Sequence, residues 1–234
     1  MGLGRIIMSV ALVAIIVYAI WYFFIKKSKL LSRCRSGKKV LNIEPSKLKQ
    51  NPNSSNYAYS IWFYVTDWQY RFGEIKDVLI RGDAAVGSVN PRIYLGEYEN
   101  NITIQVSTFP SSAGAPPQTT TCGVNNFPLQ RWVNLIVSLN NRTLDVYLNG
   151  KLIRTCVLPA PAQIRAQDPL MITPNGGFAG WTSNLEYFEH ALNPQESYNI
   201  YASGPKCGGM SFFDRYKLKI SYLVNNMEEA SVTI

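Results

Sequence analysis

This 234-residue chain has one histidine, four cysteines and no acidic residue before Glu44. With a single histidine, any Ser-His-Asp or Cys-His device must pass through His190. None of Cys34, Cys122, Cys156 and Cys207 stands in the C-x-x-C spacing of a zinc site, so no metal ligand set is expected from them. Charged residues are scarce at 16%, and their distribution says more than the net +8. Residues 1–49 carry +9 and residues 50–234 carry −1. The larger part is therefore neutral and lacks the basic face that nucleic-acid binding needs.

Twenty successive residues, Ile6 to Ile25, hold no charge. A helix rises about 1.5 Å per residue and must cross roughly 30 Å of hydrocarbon, so this length predicts one transmembrane helix over 6–25 after a short flank at 1–5. The residues expected in lipid are Ile6, Val10, Val13, Ile16, Val17, Ile20, Trp21, Phe24 and Ile25. A cleavable signal would have a shorter apolar run and a small-residue cleavage site, but here the run ends in Trp21-Tyr22-Phe23-Phe24 and meets lysine. Lys26, Lys27, Lys29, Arg33, Arg35, Lys38 and Lys39 then read as contacts to anionic lipid within a basic linker over 26–53. Because positive flanks stay on the cytoplasmic side, the C-terminal part is expected on the cytoplasmic or an equivalent face.

Beyond that linker the composition is that of a β protein, with several segments alternating at period two. Tyr59, Ile61, Phe63 and Val65 share one face of a strand, as do Ile102, Ile104 and Val106, and Val133, Leu135, Val137 and Leu139. A turn at Asn140-Asn141-Arg142-Thr143 leads to Leu144–Leu148, and Asn149-Gly150 predicts a tight hairpin back into Lys151–Val157. Short strands at this spacing argue for a two-sheet antiparallel sandwich.

The run Arg131-Trp132-Val133-Asn134-Leu135-Ile136-Val137, followed by Leu144-Asp145-Val146-Tyr147-Leu148-Asn149-Gly150-Lys151, resembles laminin-G-like domains of the concanavalin A-like lectin/glucanase superfamily. The ending is similar too: Phe178-Ala179-Gly180, Leu185-Glu186-Tyr187-Phe188, Ala191-Leu192-Asn193-Pro194-Gln195-Glu196 and Ile200-Tyr201. The resemblance covers residues 54–204 and implies an all-β jelly-roll sandwich. Glucanases of that superfamily carry an E-x-D-x-x-E strand whose carboxylates act as nucleophile and acid. Here only Glu186 and Glu189 come near, three apart and without the intervening Asp. No catalytic residue is assigned, and the chain is not expected to be an enzyme.

The resemblance also implies two candidate ligands. Calcium is held in relatives by loop carboxylates, for which Asp67, Asp83, Glu97 and Asp145 are the isolated acids, and no cofactor is assigned from them. Glycan or protein contact falls on Trp68, Tyr70 and Arg71 in the aromatic segment ending at Phe72, which equally reads as core packing. Cys122 and Cys156 flank the Trp132 strand and its hairpin, and a sandwich could bring them together as a disulfide; Cys34 and Cys207 either pair or stay free, and in a reducing cytosol all four would be thiols. Sequons stand at Asn53, Asn101 and Asn141. Residues 205–234 read as an added edge strand, placed beside Val40–Ile43, or as an arm for a partner.

Two functional classes follow. Large nucleocytoplasmic DNA viruses encode membrane-anchored proteins that resemble this superfamily, which suggests a structural tether between an internal virion membrane and capsid proteins. The other class is a cell-surface or lumenal adhesion lectin.

Overall fold

The computed structural model describes residues 12–16, 18, 29–49, 54–83, 88–112, 114–207, 219–224 and 227–233. Thirteen strands build the sandwich: β1 (Lys29–Leu31), β2 (Arg35–Ser36), β3 (Leu41–Ile43), β4 (Tyr57–Asp67), β5 (Lys76–Asp83), β6 (Ser88–Leu95), β7 (Ile102–Thr108), β8 (Gln118–Val124), β9 (Trp132–Asn140), β10 (Thr143–Leu148), β11 (Lys151–Val157), β12 (Leu170–Ile172) and β13 (Ala179–Phe188). One sheet runs β1-β13-β4-β9-β10-β11, with β2 also on β13, and the other runs β3-β12-β5-β6-β7-β8. All pairings between these strands are antiparallel. The expected all-β two-sheet sandwich is present.

The period-two pattern sets the core. Tyr57, Tyr59, Ile61, Phe63 and Val65 of β4 enter one cluster with Leu135, Val137 and Leu139 of β9 and with Ile102, Ile104 and Val106 of the facing sheet. Phe63 stands edge-on to Phe127 at 5.6 Å and to Phe178 at 6.1 Å, measured between ring centroids. Because that side chain is fully buried, Phe63→Ala is expected to cost about 3–5 kcal/mol of stability, read as the urea midpoint of the full chain in detergent.

The opposite face of β4 is apolar as well because a helix covers it. Helix α1 (Pro194–Ala202) begins with a reciprocal cap, Asn193 Oδ1 accepting from the Glu196 amide at 2.9 Å and Glu196 Oε2 accepting from the Asn193 amide at 2.8 Å. Its Tyr201 stacks on Trp62 at 5.7 Å, and Leu192 joins Ala58, Ile136 and Tyr147 in a second cluster. At the β10–β11 turn, Asn149 and Gly150 take φ of 52° and 75°, the left-handed conformation that an Asn-Gly hairpin supplies.

Residues 29–43, read above as part of a linker, contribute three short strands to the sandwich. They supply the missing edges: β1 and β2 lie along β13, and β3 lies along β12. The C-terminal strand expected beside Val40–Ile43 is instead β14 (Lys219–Val224), paired with β15 (Met227–Thr233). A partner two residues away closes a far shorter loop than Leu41–Ile43 offers, and loop-closure entropy favours the local hairpin.

The expected 6–25 span lies largely outside the described residues. That covers Ile6, Val10, Val17, Ile20, Trp21, Phe24 and Ile25, and also Lys26 and Lys27 of the basic flank. Residues 12–16 are helical, with Val13 and Ile16 exposed. Among the described residues no helix is long and apolar enough to cross a membrane.

Candidate ligand-binding end of the sandwich

Strand register gives the sandwich two distinguishable ends. Lys29 aligns with Glu186, and Glu186 with Ser60, whereas Asp67 aligns with Ala179. At roughly 3.3 Å per residue, Ser60 and Asp67 are about 23 Å apart along β4. The chain thus enters the fold at one end, and the β4–β5 loop lies at the other.

That far end is built from three loops sewn together by side chains. Asp67 Oδ1 accepts from the Gln69 amide at 2.9 Å and starts the β4–β5 turn. Trp68 Nε1 donates to the Tyr98 carbonyl at 3.0 Å, and the Gly73 amide donates to the Glu97 carbonyl at 3.1 Å, joining this loop to the β6–β7 loop. Tyr70 donates its hydroxyl proton to the Gly176 carbonyl at 3.1 Å, and Arg71 donates to the Asn175 carbonyl, joining the turn before β13. Arg71 also pairs with Glu74 at 2.7 Å. Beneath them Asn175 and Arg92 both donate to Asp77, at 3.0 Å and 2.7 Å.

Trp68 packs on the core rather than projecting from it. Phe127 meets its ring edge-on at 6.0 Å, and the Lys76 ammonium sits over its face at 4.5 Å. Lys76 is itself buried, its Nζ donating to the carbonyls of Glu74, Gly96 and Glu97 at 3.3–3.4 Å. Burial first, and then the Arg71 charge, hold its pKa below the ordinary lysine value. Trp68, Tyr70 and Arg71 are therefore brought together, but as the clamp that fixes the loops.

Two exposed aromatics at this end, Phe72 and Tyr98, are half or more accessible and stand edge-to-face at 5.5 Å. Tyr98 borders an open depression of about 340 Å³ together with Tyr94, Ile75, Glu97, Glu99 and Asn101. Asn101 Nδ2 donates to Glu99 Oε2 at 2.8 Å, while its Oδ1 accepts from the Asn126 amide at 3.1 Å. Tyr94, Tyr98 and Glu99 were not singled out from sequence. The available signal was a Tyr inside the polar turn Gly96-Glu97-Tyr98-Glu99-Asn100-Asn101, where nothing nearby in sequence offers it a core.

The remaining candidate residues are scattered. Lys29 and Arg35 lie in strands along β13, Arg33 and Lys39 are exposed between strands, and Lys38 sits over the Tyr70 ring at 4.2 Å, at the far end. This stretch wraps the sandwich from one end to the other, so its charges do not share one plane. Asp67 caps its turn, Asp145 accepts from the Thr155 hydroxyl at 2.6 Å, and Asp83 ends β5. Among the described residues no three His, Cys, Asp or Glu side chains are grouped to hold a metal ion. Glu186 is buried whereas Glu189 and His190 are exposed, and the His190 ring meets Phe188 at 5.9 Å.

All four cysteines are bonded. Cys122 joins Cys156, with Cα atoms 6.1 Å apart, and Cys34 joins Cys207, with Cα atoms 4.7 Å apart. The first bridge links the edge strands β8 and β11 of the two sheets, and the second ties the β1–β2 segment to the chain after α1.

The architecture is that of the antiparallel jelly-roll sandwiches, two sheets with a short helix after the last core strand. Residues 37–196 match the Laminin_G_3 family, and the chain belongs to this family of the concanavalin A-like lectin/glucanases superfamily. No curated protein matches it in sequence. Among solved structures it is similar to the botulinum neurotoxin serotype D binding domain, at 12% identity and TM-score 0.55, covering 74% of this chain and 41% of that one. It is also similar to the serotype D ligand binding domain solved in complex with N-acetylneuraminic acid, at 10% identity and TM-score 0.53, covering 76% of this chain and 51% of that one. The chain thus spans about half or less of these solved proteins, and at such identity the likeness is one of fold.

Proposed function

We propose that this protein is a membrane-anchored, non-enzymatic carbohydrate-binding module that presents its sugar site away from the bilayer. One observation carries the reading: the exposed Tyr98–Phe72 pair beside the depression rimmed by Glu97, Glu99 and Asn101. Aromatic faces stack on the C–H face of a sugar ring while carboxylate and amide groups take its hydroxyls. A related fold crystallised with N-acetylneuraminic acid supports the same reading. With the 6–25 run in lipid, the chain enters the sandwich at Lys29, and the depression lies at the opposite end. The two disulfides favour an oxidising space for the module, against the basic flank that favours the cytoplasmic face. The disulfides account for every cysteine in the chain, and on this reading the module faces the oxidising space.

In this reading Tyr98→Ala and Phe72→Ala each weaken glycan-array binding of the full chain at least tenfold, about 1.4 kcal/mol, with little change in melting temperature. Trp68→Ala acts differently, lowering stability by opening the loop clamp. Unchanged glycan binding in both aromatic variants would exclude the site.

A second reading is favoured by strand β11, an edge strand on which Leu152, Ile153 and Val157 are all exposed. Such an edge suits a protein neighbour that adds a strand, as a tether between membrane lipid and a shell would require, for example in a large DNA virus. Copurification of the full chain with a membrane-bearing particle, without sugar binding, would favour the tether. Protease protection in sealed membranes separates the two faces.

A further inference from the structure

We propose that the depression selects uncharged sugars and discriminates against acidic ones such as sialosides. This rests on the carbohydrate-binding reading and adds the ligand class. The rim presents acceptors: Glu97 makes no side-chain hydrogen bond among the described residues, and Glu99 uses one oxygen for Asn101. Hydroxyl groups of a neutral sugar donate to such carboxylates in charge-assisted hydrogen bonds. A sugar carboxylate only accepts, and it would meet two negative charges.

No Lys or Arg lines the depression, and four cations near it are committed elsewhere. Lys76 is buried beneath Trp68 with its ammonium on three backbone carbonyls. Arg71 is spent on Glu74 and the Asn175 carbonyl. Arg92 binds Asp77 through two nitrogens and lays its guanidinium over the Tyr94 ring at 5.0 Å, so what reaches the depression from it is an aromatic wall and not a free charge. Lys38 covers the Tyr70 ring. The lining therefore pairs stacking surface with hydrogen-bond acceptors and includes no cation to meet an anion.

The test compares neutral glycans with their sialylated counterparts, matched otherwise, binding to the full chain in nanodiscs of uncharged lipid. The expected result is at least a tenfold preference for the neutral member, shrinking in high salt because exposed charges are screened. Glu97→Gln with Glu99→Gln removes both charges from exposed positions while keeping an acceptor oxygen on each, and the preference should fall toward parity through gain of sialoside binding. Sialosides binding the unaltered protein as well as the neutral glycans do would overturn the proposal while leaving carbohydrate binding in place. So would a preference that the double variant leaves untouched. Failure of both glycan classes to bind would overturn the carbohydrate reading and this inference with it.

Discussion

Replacing Cys34 and Cys207 together by serine is expected to lower the unfolding free energy by about 5 kcal/mol, the largest single effect anticipated for this fold. The bond spans 173 of the 234 residues, so its removal frees about three quarters of the chain in the unfolded ensemble. The Cys122–Cys156 bridge spans 34 residues, and its paired serine variant should cost about 4 kcal/mol on the same reasoning. The order of the two costs is the sharper expectation, because the entropy of an open chain grows with the logarithm of the loop. Guanidinium midpoints of the full chain in detergent, with and without reductant, read both. A Cys34/Cys207 serine pair that unfolds at the unaltered midpoint would remove this bridge from the account of stability.

Alkaline pH should unfold the protein steeply. Tyr57 and Tyr59 are buried between the sheets, with Arg81 Nη1 donating to the Tyr59 hydroxyl oxygen at 3.0 Å. Burial raises the pKa of both phenols well above the ordinary tyrosine value; the Arg81 charge opposes this for each but does not cancel it. Above about pH 10 the unfolded chain releases these protons while the folded chain keeps them, so the folded state binds more protons and stability falls as pH rises. Their contribution is fully present below that pH. Each phenol takes away about 1.4 kcal/mol per pH unit, so the pair gives a slope near 2.7 kcal/mol. Tyr57→Phe, which removes one titrating group, should lower the slope by about 1.4 kcal/mol per pH unit between about pH 10 and 12. Thermal unfolding across that range measures it, and an unaltered slope in Tyr57→Phe would mean that the buried phenols do not govern the transition.

Some of this was legible in the chain because the information is local. Asn149-Gly150 dictates its turn through backbone sterics, and the alternation in Val133–Leu139 and Leu144–Leu148 then has one register that buries both apolar sets. The Asn193-Pro194-Gln195-Glu196 run carries its own cap and helix start. Strands β5 and β6 were harder to read. Val78, Leu79 and Ile80 do not alternate, and Arg81 hides a charge in the core. Pro91 stands within β6, where a proline argues against a strand. The ladder to β7 begins only at Arg92, and the pairing with β5 is irregular between Ile80 and Gly82, so Pro91 falls where its missing donor disturbs least.

The candidate site was legible only as a group of residues with the wrong division of labour. Trp68, Tyr70 and Arg71 stand out as aromatic and basic residues after a strong strand, yet their hydrogen bonds go to Tyr98, Gly176 and Asn175, segments 30 or more residues away. What remains open to a ligand, Tyr98 and Phe72, is decided by what the clamp leaves uncovered.

From the amino-acid order alone came the uncharged twenty-residue run, the division between a basic beginning and a neutral remainder, and the alternation that demands two packed sheets. Tertiary structure alone decided that residues 29–43 close sheet edges, that Cys34 meets Cys207 and that three distant loops share one end of the sandwich. The physical reason is range: turn sterics and side-chain period act over a few residues, whereas the meeting of remote segments depends on strand order, which no short stretch of chain encodes.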